Sequence, residues 1–168
     1  MDIFLVRHGP AEGRDPRRWP SDDDRPLSRI GVPETEEAAR GFARIANGAV
    51  RVVSSPAVRA YSTAVIFQQA LKLSGNVGRW PELAPESPAD PVLARVADEG
   101  RAANGLVLVS HEPVLSELIG LALTGEAVSL VHMARAGAAA IRFDASLRPG
   151  AGRLEWLMPR RALARAGR

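Results

Sequence analysis

The chain contains no cysteine, which excludes disulfides, thiolate zinc sites, iron–sulfur clusters and a cysteine nucleophile together. Lysine is almost absent too, Lys72 being the one basic residue besides histidine that is not an arginine. No apolar run approaches the roughly 18 residues that span a bilayer. The opening residues lack the basic lead and long apolar stretch of a signal peptide. A cytoplasmic protein without a membrane partner is therefore expected. Neither an internal repeat nor a composition shift marks a linker, and the apolar and charged fractions, 46% and 24%, exclude disordered and fibrous classes.

What remains is one domain's worth of chain. At 168 residues, folding buries roughly 70% of the unfolded surface, enough for a full core. The net charge is +3 from 22 basic and 19 acidic residues. Four of the arginines (Arg160, Arg161, Arg165 and Arg168) fall in the last nine positions, which hold no acid. The rest of the chain is near neutral, so no broad nucleic-acid-binding face is expected. This reading divides the chain into a domain over residues 1–158 and an arginine-rich tail over residues 159–168.

Three short apolar runs, at residues 3–6, 50–53 and 106–109, have the pattern of strands buried on both faces. Each is followed by a polar turn and, further on, by helical spacing. Residues 33–47 repeat Ala38, Phe42 and Ile45 behind Glu34, Glu36 and Glu37, acids that suit a helix N-terminus. The segment opened by Pro56 repeats Ala60, Ala64, Phe67 and Leu71. Residues 77–83 are predicted as a further strand, 91–103 as a helix, and 113–124 as a helix closed by Gly125. Late strands follow at 138–143 and 153–158, and residues 11–30 form a long loop. Alternating strands and helices predict a three-layer α/β/α domain with a mainly parallel central sheet.

In such sheets ligands bind beyond the carboxyl ends of the strands. Those ends carry Arg7-His8-Gly9, Ser54-Ser55-Pro56 and Ser110-His111-Glu112. Gly9 lets backbone approach a ligand closely, and Arg7 offers a planar fork for phosphate oxygens. Arg59 falls in a first helical turn, beside backbone N–H groups without partners. Two arginines, two histidines and helix N-termini together describe a pocket for a tetrahedral dianion.

Leu5-Val6-Arg7-His8-Gly9, Ser55-Pro56-x-x-Arg59-Ala60-x-x-Thr63-Ala64 and Val109-Ser110-His111 occur in this order and resemble the histidine phosphatase, or phosphoglycerate-mutase-like, superfamily. The short length and Arg25-Pro26-Leu27-Ser28-x-x-Gly31 look like its SixA-type phosphohistidine phosphatases. The resemblance implies a phosphoglycerate-mutase-like fold in which His8 takes up the phosphoryl group and Arg7, Arg59 and His111 bind its oxygens. It makes Arg25 an additional phosphate-binding residue. No cofactor or metal is called for, since guanidinium groups supply the positive charge. The implied substrate is a phosphohistidine-bearing signalling or phosphotransfer protein.

One position departs from many relatives. The glutamate general acid expected two residues beyond Leu83 is Pro85, with Glu82 and Glu86 as neighbours. That absence disfavours alkyl phosphate esters, whose alkoxide leaving groups need a proton. A small-molecule phosphomonoesterase using Glu82 or Glu86 and a non-catalytic phosphate-binding module remain the alternatives. His132 has no motif around it and reads as a surface or structural residue. Asp22-Asp23-Asp24 reads as a solvated loop, and Trp19 and Trp80 as either rim or buried residues.

Overall fold

The computed structural model describes residues 1–100 and 105–167. In chain order the elements are β1 (Asp2–Arg7), α1 (Gly31–Ile45), β2 (Arg51–Ser54), α2 (Val58–Ala70) and β3 (Gly78–Arg79). After them come α3 (Ala89–Gly100), β4 (Gly105–Ser110), α4 (Val114–Thr124), β5 (Ala138–Phe143), β6 (Gly152–Met158) and α5 (Arg160–Ala166). The sheet order is β3-β2-β4-β1-β5-β6. The pairs β2–β3, β2–β4 and β1–β4 are parallel, while β5 and β6 run antiparallel at one side. This is the expected three-layer α/β/α architecture.

The unbroken apolar runs follow from burial on both faces. Successive strand side chains point to opposite sides, so Ile3 and Leu5 of β1 join one core and Phe4 and Val6 the other. In β4, Leu106 and Leu108 likewise separate from Val107 and Val109. The first core is closed by Val92, Leu93 and Val96 of α3 and Leu115, Leu118 and Ile119 of α4. The second is closed by Ala38 and Phe42 of α1, Ala60, Ala64 and Phe67 of α2, and Leu163 of α5.

Differences from the sequence reading have local causes. The strand expected over residues 77–83 is only two residues long, because Pro81 has no N–H for the ladder and begins a 3-10 turn, Pro81–Leu83. Helix α2 begins at Val58 rather than Pro56: Ala57 is extended (φ −58°, ψ 135°), and its N–H is held by Ser55 Oγ at 3.3 Å. Helix α3 starts at Ala89, earlier than expected, and the end read at Ala103 lies outside the described residues. Helix α4 closes at Gly125, φ 89°, as expected.

Most of the stretch read as a tail is helical. In α5, Leu163 is fully buried against α1, and Arg160 pairs with Glu34 of α1. A Cβ on Gly41 of α1 would strike the Leu163 carbonyl oxygen, so the two backbones meet because that residue has no side chain. A single apolar residue among arginines carries little pattern, which is why the packed face was not legible.

Candidate active site

Three parallel strands end on one edge, and each delivers part of the site. β1 leads into Arg7 and His8, β2 into Ser54 and Ser55, and β4 into Ser110 and His111. The His8 N–H donates to the Ser110 carbonyl at 3.0 Å and the Ser55 N–H to the Val109 carbonyl at 2.9 Å. These bonds extend the sheet by one residue and bring the turns together. The His8 and His111 rings lie 5.0 Å apart, centroid to centroid.

His8 is 7% exposed. Its Nδ1 is 2.8 Å from the Gly9 carbonyl oxygen. A carbonyl can only accept, so Nδ1 carries the proton and Nε2 keeps its lone pair. Burial, with the charges of Arg59, Arg7 and Arg135, holds the ring down to about 4, even against the Gly9 hydrogen bond. His8 is therefore neutral at pH 7. The Gly9 N–H donates to Thr63 Oγ1 at 2.9 Å, and Thr63 Oγ1 donates to the Arg59 carbonyl at 2.8 Å. A Cβ at Gly9 would collide with Thr35 Oγ1, so glycine is needed for close packing here.

His111 is 3% exposed. Its Nε2 lies 2.9 Å from Ser55 Oγ, and its buried Nδ1 has no partner among protein atoms. Burial first, then the proximity of His8 and Arg59, pushes its pKa down to about 2.

The arginines converge from three segments. Arg59, in the first turn of α2, is 3% exposed and donates through Nη1 to the Asp22 carbonyl at 2.6 Å. Arg25 donates through Nε to Asp22 Oδ1 at 3.0 Å and through Nη1 to the Glu12 carbonyl at 2.9 Å. Arg7 donates through Nη1 to the Met133 carbonyl at 2.6 Å. The Nε atoms of Arg7 and Arg59 are buried without a partner. Burial lowers the pKa of both arginines, partly offset by Glu112 for Arg7 and by Asp22 for Arg59.

All five expected residues thus meet at one edge. Asp22 does not behave as a solvated residue. It sits in the 3-10 turn Asp22–Asp24 with its carboxylate between Arg25 and Arg59, and its pKa is lowered chiefly by the Arg25 hydrogen bond. Its position three residues before Arg25 was the available signal. Glu112 was also missed: Oε1 accepts the Met133 N–H at 2.7 Å and Oε2 the Ser116 hydroxyl at 2.6 Å, fixing the segment whose carbonyl anchors Arg7. Nothing in the sequence couples residues 112 and 133.

The two carboxylates considered as acids are differently placed. Glu82 pairs with Arg95 at 2.7 Å and its carboxyl is held below the usual range, first by its own backbone N–H and then by Arg95. Glu86 is exposed with φ 63°. Trp80 is buried beneath the Arg95 guanidinium, 4.3 Å from the ring centroid, whereas Trp19 is half-buried; His132 is exposed.

A parallel-sheet edge that presents a neutral imidazole inside a ring of arginines is the site of an anion-binding α/β protein. Residues 3–84 match the family model described as histidine phosphatase superfamily (branch 1), and the chain has the fold of that superfamily. An uncharacterized protein of Picosynechococcus sp. is 29% identical over 147 residues, 87% of each chain. The structure of the protein histidine phosphatase SixA complexed with tungstate superposes with TM-score 0.84 and 26% identity, covering 97% of this chain and 99% of that one. The alpha-ribazole phosphatase from Shigella flexneri shares the fold, with TM-score 0.74 and 18% identity over 95% of this chain and 97% of that one.

Proposed function

We propose that this phosphatase hydrolyses phosphohistidine on a signalling or phosphotransfer protein through a covalent phosphohistidine on its own His8. The observation that carries the proposal is the state of His8: neutral, with Nδ1–H bound to the Gly9 carbonyl and a free Nε2 lone pair among arginines. An imidazole attacks phosphorus only through such a nitrogen. The likeness to SixA in complex with tungstate, a tetrahedral oxyanion, supports the same pocket as the phosphoryl site.

Nε2 of His8 attacks phosphorus while the bond from phosphorus to the substrate's imidazole nitrogen breaks. The departing imidazole keeps that electron pair and takes a proton from solvent. Arg7, Arg25, Arg59 and His111 hold the phosphoryl oxygens, and the arginines stabilise their charge in the transition state without a metal. Water then attacks phosphorus, the bond to His8 breaks, and inorganic phosphate leaves with His8 neutral again.

Leaving-group chemistry favours phosphohistidine over alkyl esters. Pro85 cannot protonate an alkoxide, and Glu82 is committed to Arg95. An imidazole that solvent protonates on its other ring nitrogen departs as a neutral molecule, without a protein acid. The reading is tested by comparing kcat/KM for a phosphohistidine peptide, aryl phosphates and alkyl phosphates. The expected gap between the first two and the alkyl esters is about 10²- to 10⁴-fold, the usual contribution of a positioned acid. Comparable efficiency on an alkyl phosphate, abolished by Glu82→Gln or Glu86→Gln, would make this a small-molecule phosphatase.

A further inference from the structure

Beside the phosphoryl site opens a cavity of about 640 Å³ lined by Arg7, His132, Arg135, Arg160 and Arg161, with no carboxylate in its wall. Its size falls within the range of ligand pockets. Arg7 belongs to both spaces, so a group held in the cavity lies one guanidinium away from the phosphoryl group.

The charges there are not balanced. Arg160 is paired with Glu34, but among the described residues neither Arg135 nor Arg161 has a carboxylate within ion-pair distance or a side-chain hydrogen bond to protein. Glu112, the acid nearest in effect to Arg7, already accepts from Met133 and Ser116. The charge of Arg135 reaches both His8 and Arg7, depressing each, and that of Arg161 opposes Arg160. By contrast, Arg51, Arg95, Arg142 and Arg153 each have an acidic partner. Arg135 and Arg161 are thus uncompensated cations in the wall of a cavity that shares Arg7 with the phosphoryl site.

We propose that this cavity is a second anion subsite, which reads acidic side chains flanking the phosphohistidine of the substrate protein. The proposal rests on the phosphohistidine reading for the identity of the substrate, and on the cavity's own charges for the second anion. A protein surface fits better than a nucleic acid, because the body of the chain is near neutral overall and the cations beside the phosphoryl site line a cavity rather than an extended face. Both elements that supply it are held by packing: β6 leads straight into α5, and Glu112 holds Met133, two residues before Arg135.

The test uses the full chain and two matched substrate pairs: a phosphohistidine peptide flanked by glutamates or by glutamines, and an aryl phosphate carrying a glutamyl or a glutaminyl arm. Each pair shares its leaving group, so the ratio of kcat/KM within a pair reports the second anion alone. At low salt the acidic member of each pair is expected to react about five- to tenfold faster, and the preference to shrink as ions screen the exposed charges. Arg161→Gln and Arg135→Gln should bring the ratio toward one. Arg161→Glu should reverse it in favour of a lysine-bearing arm. Both residues are exposed, and circular dichroism checks that each variant is folded. Equal rates within both pairs for the unmodified protein would remove the subsite, whatever the reaction class. Glutamyl preference on the aryl pair without phosphohistidine turnover would instead keep the subsite and remove the phosphohistidine reading.

Discussion

Asp22 is joined to Arg59 twice: its main-chain carbonyl accepts Nη1 at 2.6 Å, and its carboxylate pairs with Nη2 at 3.1 Å. The same carboxylate takes two hydrogen bonds from Arg25, at 3.0 and 3.2 Å. One acid thus fixes two arginines of the proposed phosphate cradle and also opposes an incoming dianion. Asp22→Asn is expected to separate these effects. Released guanidinium charge should tighten inhibition by inorganic phosphate, while loss of their fixed geometry should lower kcat, each by about tenfold. Weaker phosphate inhibition together with unchanged kcat would show that Asp22 neither repels the anion nor positions the arginines.

His8 is expected to carry the phosphoryl group during turnover. Rapid quenching under alkaline conditions preserves a phosphoramidate, and mass spectrometry should place the added phosphate on His8 and on no residue of His8→Ala. Turnover without label on His8, or full activity in His8→Ala, would assign the nucleophile elsewhere.

Buried neutral histidines make stability depend on pH. His8 and His111 are held down to about 4 and about 2 from an ordinary 6.5. Below 6.5 the unfolded chain therefore binds protons that the folded chain refuses, and stability is lost as pH falls. Between pH 6.5 and about 5, before most carboxylates titrate, the loss should approach about 2 kcal/mol per histidine. Urea midpoints across that window check it, and His8→Gln should flatten the slope by about half. A midpoint independent of pH there would contradict the buried neutral state.

Helix α5 is expected to contribute to folding through Leu163, which is fully buried against α1. Leu163→Ala should cost about 2–5 kcal/mol, the range for a truncated core leucine. Gly41→Ala should also destabilise, because its Cβ meets the Leu163 carbonyl. Urea unfolding at neutral pH measures both. A change under about 0.5 kcal/mol in Leu163→Ala, the size of an ordinary surface substitution, would show that α5 contributes nothing to the fold.

Alternation and apolar runs in the sequence were sufficient for the layered α/β fold, because strands covered on both faces must be apolar at every position, as residues 3–6 and 106–109 are. They were also sufficient to bring Arg7, His8, Arg59 and His111 to one edge, since parallel strands share a direction and so end on the same side. Arg25, in a loop without periodicity, was legible only through the family resemblance. The pairings that cross the chain needed the tertiary structure. Asp22 reaches Arg59 over 37 positions and Glu112 reaches Met133 over 21, and each depends on how loops fold back over the sheet edge. The third strand and α5 were misjudged for the same reason. Pro81 denies the ladder a donor only once β2 is beside it, and Leu163 becomes a core residue only because α1 offers a glycine at the point of contact. Local pattern determines which segments are strands and helices; the close approach of distant backbones decides which charges share a pocket.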